Sequence, residues 1–212
     1  MFNNIYQGRR VLVTGHTGFK GSWLCAWLLD LGTTVGGYSI GIPTDPSHFK
    51  ALNLADQVEC FQGDVRDKNS LQQAIDKFRP EIIFHLAAQS LVRKSYEDPI
   101  LTFTTNSIGT LNLLECLRNQ PSIIACVLIT SDKCYENVEW VWGYRETDAM
   151  GGPDPYSASK GAAELALRSH IKSYFPKSTS KVRIASARAG NVIGGGDWAA
   201  DRIVPDCVTA WS

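Results

Sequence analysis

Short apolar runs alternate with helical patterns along most of the chain. Six apolar runs predict strands, at residues 10–14, 35–38, 58–61, 81–86, 123–130 and 182–187. Patterns with an apolar residue every three or four positions predict helices between several of these runs. Because strands that alternate with helices form right-handed crossovers, the order predicts a parallel sheet. The fold class is therefore α/β, with a Rossmann-type doubly wound parallel sheet.

The same patterns predict which helical side chains are buried. A helix over 19–31 would bury an apolar stripe that consists of Trp23, Leu24, Trp27, Leu28 and Leu31. A long helix after Pro99 would bury Ile108, Leu111, Leu114 and Leu117. Asp67 is expected to cap a third helix, and a fourth is predicted at 157–174.

Composition excludes several classes of protein. The 212 residues carry 21 Lys and Arg against 21 Asp and Glu, so no excess charge points to nucleic acid or to an anionic membrane. No apolar run has the length of a membrane span, and the start of the chain lacks a signal-peptide core. The six cysteines have no metal-type spacing. We therefore expect reduced thiols, no metal site and a cytoplasmic location.

The first strand ends in three glycines, Gly15, Gly18 and Gly21, and leads into a helix. Free N–H groups at a helix N-terminus, next to a backbone without Cβ atoms, suit a pyrophosphate. By itself a glycine triplet is weak evidence of nucleotide binding, because a tight turn with close helix packing needs the same residues. In this context we expect nucleotide binding, and we expect Gly15→Val to abolish it while leaving the fold largely intact.

Other polar residues follow the predicted strands, at the edge where ligands bind in such sheets. Asp64 would accept a hydrogen bond from the adenine amine, or would serve only the turn that it forms with Gly63. Residues 38–41 contain no acidic side chain for the adenosine ribose, so the sequence leaves NAD and NADP both open.

Tyr156 and Lys160 are one helical turn apart, so both side chains would project into one site. A phenol is a poor base at neutral pH unless a cation stabilises the phenolate, which the lysine could do. Ser131 ends a buried strand and could hold a substrate oxygen beside Tyr156. The alternative is a surface helix that simply begins after Asp154 and Pro155.

Together these motifs are similar to those of the extended short-chain dehydrogenases/reductases that act on nucleotide sugars, and most closely to the CDP-glucose 4,6-dehydratases. The residues that carry the resemblance lie at 14–23, 85–89, 131–135, 139–146, 154–160 and 188–198. The resemblance implies an internal redox cycle with bound NAD, in which CDP-glucose becomes CDP-4-keto-6-deoxyglucose. It also implies a homo-oligomer, either a dimer or a tetramer.

The resemblance also implies roles for individual residues. The catalytic residues would be Ser131, Asp132, Lys133, Tyr156 and Lys160. The cofactor would be bound by Gly15, His16, Thr17, Gly18, Phe19, Gly21, Asp64, Val65, Leu86, Ala87, Ala88, Tyr156 and Lys160. The substrate would be bound by Gln89, Arg188, Asn191 and Arg202.

Within that set, Tyr156 would be the base at the sugar C4 hydroxyl and Asp132 the acid at the C6 hydroxyl. Lys133 would be the C5 base only if burial lowered its pKa, and otherwise an electrostatic partner of Asp132 or of the enolate. Trp140 and Trp142 would pack a loop over the site, or would lie in the core.

Family members extend beyond the position of Ser212. The resemblance therefore implies a cofactor domain at 1–187, followed at 188–212 by the start of a truncated substrate lobe. We expect a chain of this length to bind NAD, to dehydrate CDP-glucose poorly and to self-associate. A nucleotide-sugar epimerase or oxidoreductase of the same superfamily, or an inactive NAD-binding fragment, remain alternatives.

Overall fold

The six predicted strands form one sheet in the computed structural model, which describes residues 1–118, 120–176 and 178–211. Ser212, the last residue of the predicted second segment, lies outside the described residues. The strands are β1 Arg10–Thr14, β2 Thr34–Ser39, β3 Glu59–Gln62, β4 Ile82–His85, β5 Ala125–Ile129 and β6 Arg183–Ala187.

The sheet has the strand order β3-β2-β1-β4-β5-β6, and every neighbouring pair is parallel. The strand order reverses between β1 and β4, which is where open α/β sheets place their ligands. The doubly wound fold predicted from the sequence is confirmed, and its strand boundaries shift by only one or two residues.

The helices cover both faces of this sheet. They are α1 Phe19–Asp30, α2 His48–Ala51, α3 Lys68–Phe78, α4 Val92–Glu97, α5 Pro99–Phe103, α6 Gly109–Leu117, α7 Pro155–Tyr174 and α8 Ile203–Trp211. Short 3-10 turns lie at Phe2–Asn4, Leu54–Asp56 and Asp132–Cys134. Within the described ranges, no helix is both long and apolar enough to cross a membrane.

The core has two layers, one on each face of the sheet. Leu12 and Ile83 point to the layer that contains residues of α3, α6 and α7, whereas Val11 and Val13 point to the layer that contains Leu28. Successive strand residues face opposite sides, so β1 is buried on both faces. Each fully buried Leu or Val contributes about 1.5–3 kcal/mol, and the strands are therefore held from both sides.

Helix α1 buries only Leu28 of the predicted stripe, and Leu24 and Leu31 are half-buried. Gly21, Ser22, Cys25 and Leu28 form its buried face, while Trp23 and Trp27 remain about half exposed. A Cβ at Gly21 would overlap the carbonyl oxygen of Gly15, so the helix lies against the turn at a distance that only small residues allow. The two large indoles are excluded from that face.

The long helix after Pro99 is interrupted. A π-helical segment, Thr104–Ile108, separates α5 from α6. Leu114 and Leu117 are buried as predicted, but Ile108 is exposed and Leu111 is only half-buried. An extra residue in a π turn rotates the following face of the helix, which an unbroken 3.6-residue pattern does not anticipate.

Smaller predictions have mixed outcomes. Asp67 caps α3 as expected, because its carboxylate accepts from the backbone N–H groups of Asn69 and Ser70. Helices α2 and α4 were not predicted. All six cysteines are free, as expected, but Cys60 is exposed and Cys207 is half-buried.

Candidate active site

The carboxyl ends of the strands bring most of the predicted residues to one edge of the sheet. Gly15 follows β1, Ala87 follows β4 and Ser131 follows β5. The first turns of α7 contribute Tyr156 and Lys160. This edge lies where the strand order reverses, so we treat it as the candidate active site.

The three glycines of the first turn have different roles. Gly15 has a φ of +75°, and a Cβ there would lie 2.7 Å from the backbone nitrogen of Ala87. Such contacts with backbone cannot be relieved by rotating a side chain. The expectation that Gly15→Val leaves the fold intact is therefore wrong, because the substitution would push β1 and β4 apart.

Gly18 is different, because a Cβ there would meet only the carbonyl oxygen of Gly15, at 3.4 Å. Gly18 is also the N-cap of α1, in an extended conformation and without a side-chain cap. The first turn of α1 has no acidic residue. The positive end of this helix is therefore open to an anion at Gly18, which fits a pyrophosphate.

The end of β2 is closed by hydrogen bonds. His16 Nδ1 lies 2.9 Å from Ser39 Oγ, and Thr17 Oγ1 donates to the carbonyl of Gly41 at 2.6 Å. Burial lowers the pKa of His16 to about 4, so its ring is neutral. The His16 ring packs on Gly37, where a Cβ would overlap it. On the other face of the sheet the Phe78 ring packs on Gly36 in the same way.

Asp64 ends β3 in a turn of its own. Its carboxylate accepts from the backbone N–H of Arg66 at 2.9 Å and from the guanidinium Nε of Arg66 at 2.8 Å. Hydrogen bonds from Arg66 lower the pKa of Asp64, despite an opposing effect of burial. This geometry supports the turn interpretation, and a contact with adenine stays a prediction.

Tyr156 and Lys160 are buried rather than exposed, at 8% and 7% of their surface. The N-cap Asp154 accepts from Ser157 N at 2.9 Å, and Pro155 occupies the first turn, so the helix begins where the site requires it. Lys160 Nζ lies 6.0 Å from the centroid of the Tyr156 ring. A plain surface helix is therefore excluded.

Burial dominates the electrostatics of this pair. It raises the pKa of Tyr156, which a hydrogen bond with Ser131 and the charge of Arg202 partly offset. It lowers the pKa of Lys160 to about 8, and the charge of Lys20 acts in the same direction. The pKa of Tyr156 is therefore raised in the protein alone, and stabilisation of the phenolate by Lys160 stays a prediction.

Ser131 and Asp132 form the second half of the site. Ser131 Oγ donates to Asp132 Oδ1 at 2.9 Å and accepts from Lys133 N at 3.2 Å. The backbone N–H of Asp132 donates to the carbonyl of Ala189 at 3.0 Å. Lys133 is exposed, so the burial that a C5 base would need is absent and the electrostatic alternative remains.

Two predicted substrate ligands are occupied by other contacts. Gln89 donates from its carboxamide to Leu91 O and to Thr102 Oγ1, at 3.0 and 2.9 Å. Arg188 donates to the buried carboxylate of Glu164 from two nitrogens, at 3.0 and 2.9 Å. This geometry argues against substrate contacts for Gln89 and Arg188, because their polar atoms already have internal partners.

The other two predicted ligands differ in exposure. Asn191 is exposed, and the buried Nε of Arg202 has no hydrogen-bond partner. The nearest carboxylate oxygen, Asp197 Oδ2, lies 3.8 Å from that nitrogen. A cavity of about 670 Å³ adjoins Arg202 between α4 and α8. A guanidinium with one nitrogen that lacks a hydrogen bond, beside a cavity, suits an anionic ligand.

The loop that carries Trp140 and Trp142 lies on the surface. Trp140 is about half exposed and packs on Tyr144 with ring centroids 5.7 Å apart, while Trp142 is 74% exposed. The alternative that placed these indoles in the core is wrong.

Among the residues that the structure describes, no group of three or more His, Cys, Asp or Glu could hold a metal ion.

Two buried groups were missed by the sequence analysis. His85 Nδ1 lies 2.7 Å from Thr14 Oγ1, and its Nε2 lies 3.3 Å from Thr110 Oγ1, which ties β4 to β1 and α6. Burial lowers the pKa of His85 to about 3. Glu164 is 4% exposed and lies one turn beyond Lys160. The sequence offered a signal for each group. His85 is a polar residue in an otherwise apolar strand, and Glu164 lies four residues after Lys160 on the same helix.

We predict that Lys160 makes the free energy of unfolding depend on pH. Its pKa falls from the ordinary 10.5 to about 8 in the folded protein. Between these values the unfolded chain binds more protons, so stability rises as the pH rises through this window. Relative to Lys160→Met, the wild type should gain up to about 3 kcal/mol across it, measured by urea unfolding. Lys172→Met, at an exposed position of the same helix, should match the wild type; equal slopes for Lys160→Met would contradict the prediction.

Comparisons with known proteins agree with this geometry. The chain is 54% identical over 211 residues to the CDP-glucose 4,6-dehydratase of Salmonella typhimurium, with 98% of this chain and 59% of that protein covered. A structure of Thermus thermophilus UDP-glucose 4-epimerase with NAD matches with a TM-score of 0.75 and 35% identity, over 87% of this chain and 56% of that one. A dTDP-glucose 4,6-dehydratase of Bacillus anthracis with NAD matches with a TM-score of 0.79, over 96% and 61%, and its 22% identity shows the fold alone.

The chain thus spans about 59% of the length of the Salmonella relative. The family model described as GDP-mannose 4,6 dehydratase matches residues 12–183. The match includes the glycine turn, Ser131, Asp132, Tyr156 and Lys160, and its family belongs to the extended short-chain dehydrogenases/reductases that the motifs indicate. The chain is therefore a member of the GDP-mannose 4,6-dehydratase family of nucleotide-sugar enzymes.

Proposed function

We propose that this chain is the cofactor-binding and catalytic part of a nucleotide-sugar 4,6-dehydratase that converts CDP-glucose to CDP-4-keto-6-deoxyglucose. One observation carries the proposal: Ser131 lies between the two reactive groups, since it donates a hydrogen bond to Asp132 Oδ1 and is close enough to the Tyr156 phenol to lower its pKa. A dehydratase needs a carboxylic acid beside its phenol base, whereas an epimerase needs only the base. The Salmonella relative, with 54% identity, supports the choice of substrate.

The cofactor of this proposal is NAD, which supplies the acceptor and donor of a hydride when it is bound. The helix N-terminus at Gly18 would hold the pyrophosphate, since it is open and carries no acidic side chain. His16 and Thr17 would flank it on the side of β2, and Phe19 and Gly21 on the side of α1. Asp64, Val65, Leu86, Ala87 and Ala88 would complete the adenosine and nicotinamide ends.

Tyr156 would take the proton of the sugar C4 hydroxyl, because its buried phenol lies beside Ser131 at the start of α7. The ammonium group of Lys160 would stabilise the resulting negative charge and bind the nicotinamide ribose. Its pKa of about 8 keeps it largely charged at neutral pH.

Asp132 would then give its carboxyl proton to the C6 oxygen. The C6–O bond would break with loss of water, and the C5 hydrogen would leave as a proton to solvent. Lys133 lies beside Asp132 on the surface of the site and would attract the enolate electrostatically. Asn191 and the unsatisfied Nε of Arg202 would hold the sugar diphosphate, at the start of a substrate-binding segment from residue 188.

We also propose that the protein is a cytoplasmic homo-oligomer. The outer faces of α5 and α7 and of the π segment after α5 carry exposed apolar side chains, namely Ile100, Phe103, Ile108 and Leu165. Two copies could bury these helices against each other, because a stable dimer needs only about 800 Å² from each partner. The free cysteines are compatible with a reducing compartment.

The cofactor site can be tested at Gly18. A methyl group at Gly18 meets only ordinary contacts, so Gly18→Ala should fold normally but weaken NAD binding by at least about tenfold, or about 1.4 kcal/mol. Isothermal titration calorimetry measures this affinity. Gly143→Ala is the control, since Gly143 also has open space around it and lies far along the chain in the tryptophan loop. Wild-type affinity in Gly18→Ala would remove the pyrophosphate assignment.

The dehydratase chemistry can be tested with Tyr156→Phe and Asp132→Asn. Tyr156→Phe should lose both cofactor reduction and dehydration, by about 10²–10⁴-fold, because the first step needs the base. Asp132→Asn should still oxidise C4 and then stop, with reduced cofactor accumulating. The measurements are cofactor absorbance and the product mass, which should fall by one water in the wild type.

Each alternative function gives a different result in that assay. An epimerase would yield an isomer of CDP-glucose with no change in mass, and Asp132→Asn would turn over normally. An inactive fragment would bind NAD without converting the sugar nucleotide.

Oligomerisation can be tested with Leu165→Glu. A charge on this exposed face should dissociate the oligomer, because an unpaired carboxylate cannot be buried cheaply. Analytical ultracentrifugation reports the mass, and Gln73→Glu adds the same charge at an exposed position of α3. An unchanged mass for Leu165→Glu would place the interface elsewhere.

A further inference from the structure

A buried ion pair joins α7 to the strand ends beside the catalytic turn. Glu164 lies on α7, and its carboxylate accepts hydrogen bonds from Thr130 Oγ1 at 2.5 Å and from Ser186 Oγ at 3.0 Å. It also accepts from Nε and a terminal nitrogen of Arg188, at 3.0 and 2.9 Å. Four donors on a single carboxylate fix it rigidly, since charge-assisted and bidentate bonds are the strong ones.

Arg188 extends the contact to Tyr135. Its other terminal nitrogen donates to the Tyr135 hydroxyl at 2.7 Å, and its guanidinium carbon lies 4.9 Å from the centroid of the tyrosine ring. The hydrogen bonds to Glu164 raise the pKa of Arg188 and lower that of Glu164, so both stay charged. Glu164, Arg188 and Tyr135 thus form one connected set, the Glu164 network.

The Glu164 network holds both ends of the turn that presents Asp132. The backbone N–H of Asp132 donates to Ala189, the residue after Arg188, at 3.0 Å. The backbone N–H of Tyr135 donates to the carbonyl of Asp132 at 3.2 Å. Asp132 itself is exposed, and within the described part of the chain its carboxylate accepts a side-chain hydrogen bond from Ser131 alone. The position of Asp132 therefore depends on Ala189, the chain neighbour of Arg188, and on Tyr135, whose hydroxyl Arg188 binds.

We propose that Glu164, Arg188 and Tyr135 are positioning residues for the dehydration step, in that they hold the Asp132 carboxyl at a fixed place relative to Tyr156 on α7. The inference rests on the proposed dehydratase function. In that step Asp132 gives its proton to the C6 oxygen, which leaves as water, and the C5 hydrogen passes as a proton to solvent. The network touches neither reacting atom. It ties the turn that carries the acid to α7, the helix that carries the base.

Tyr135→Phe is the sharpest test, because it removes only the hydroxyl that Arg188 binds and leaves the buried ion pair intact. We expect dehydration to slow by about tenfold in kcat with KM unchanged, while oxidation at C4 keeps the wild-type rate. Amide hydrogen exchange at Asp132 and Tyr135, which requires no substrate, should accelerate by a similar factor.

Tyr144→Phe is the matched control. Its ring stacks on Tyr135 with centroids 5.2 Å apart, but its hydroxyl bonds to Asn137 and Val138 instead of Arg188. It should behave like the wild type in both measurements.

Three results would count against the network. Wild-type exchange and kcat in Tyr135→Phe would show that Asp132 is held without it. Equal losses in Tyr135→Phe and Tyr144→Phe would assign the effect to the aromatic loop. If the wild type does not dehydrate CDP-glucose, the proposed function fails, and hydrogen exchange alone then decides whether Tyr135 anchors the turn.

Discussion

The close approach of α1 to the turn after β1 determines the rest of the cofactor edge. Gly21 lies against the carbonyl of Gly15, and Gly15 lies against the backbone of Ala87 after β4. Backbone packs on backbone at both contacts, so neither can be loosened by moving a side chain. The two glycines therefore fix the helix axis relative to the strands, and Gly18 between them remains open at the helix N-terminus. Gly15 and Gly21 therefore serve close packing, and Gly18 leaves space at the helix N-terminus.

Helix α7 carries a second constraint, because it holds three ionisable side chains inside the protein. Tyr156, Lys160 and Glu164 recur at every fourth position and are each less than a tenth exposed. Burial disfavours the charged forms, which the structure offsets by giving Glu164 four hydrogen-bond donors. Lys160 receives less compensation, and its lowered pKa reflects that. The ion pair stabilises the middle of the helix, whereas Lys160, nearer its start, keeps a cost of burial that lowers its pKa.

The fold could be read from the sequence because its signals are local. The six strands, the Asp67 cap and the start of α7 depend on neighbours within a few residues, and all were predicted. The site was only partly predictable, because the free or occupied state of a polar group depends on distant partners. Arg188 and Gln89 look like ligands in the sequence, but Glu164 and Thr102 occupy them in the structure. The π segment at 104–108 and the small buried face of α1 likewise arise from tertiary packing.

Consecutive glycines in β2 have a consequence for how this sequence can change. Gly36 makes room for the ring of Phe78 on one face of the sheet, and Gly37 makes room for the ring of His16 on the other. Each glycine and its ring fill a single space. A larger residue at 37 is therefore tolerated only in a background with a smaller residue at 16, and the same holds for 36 and 78. Residues 36 and 78 form one pair that must change together, and residues 37 and 16 form another. A sequence with two large residues in either pair would not pack, so it separates sequences that would otherwise be acceptable.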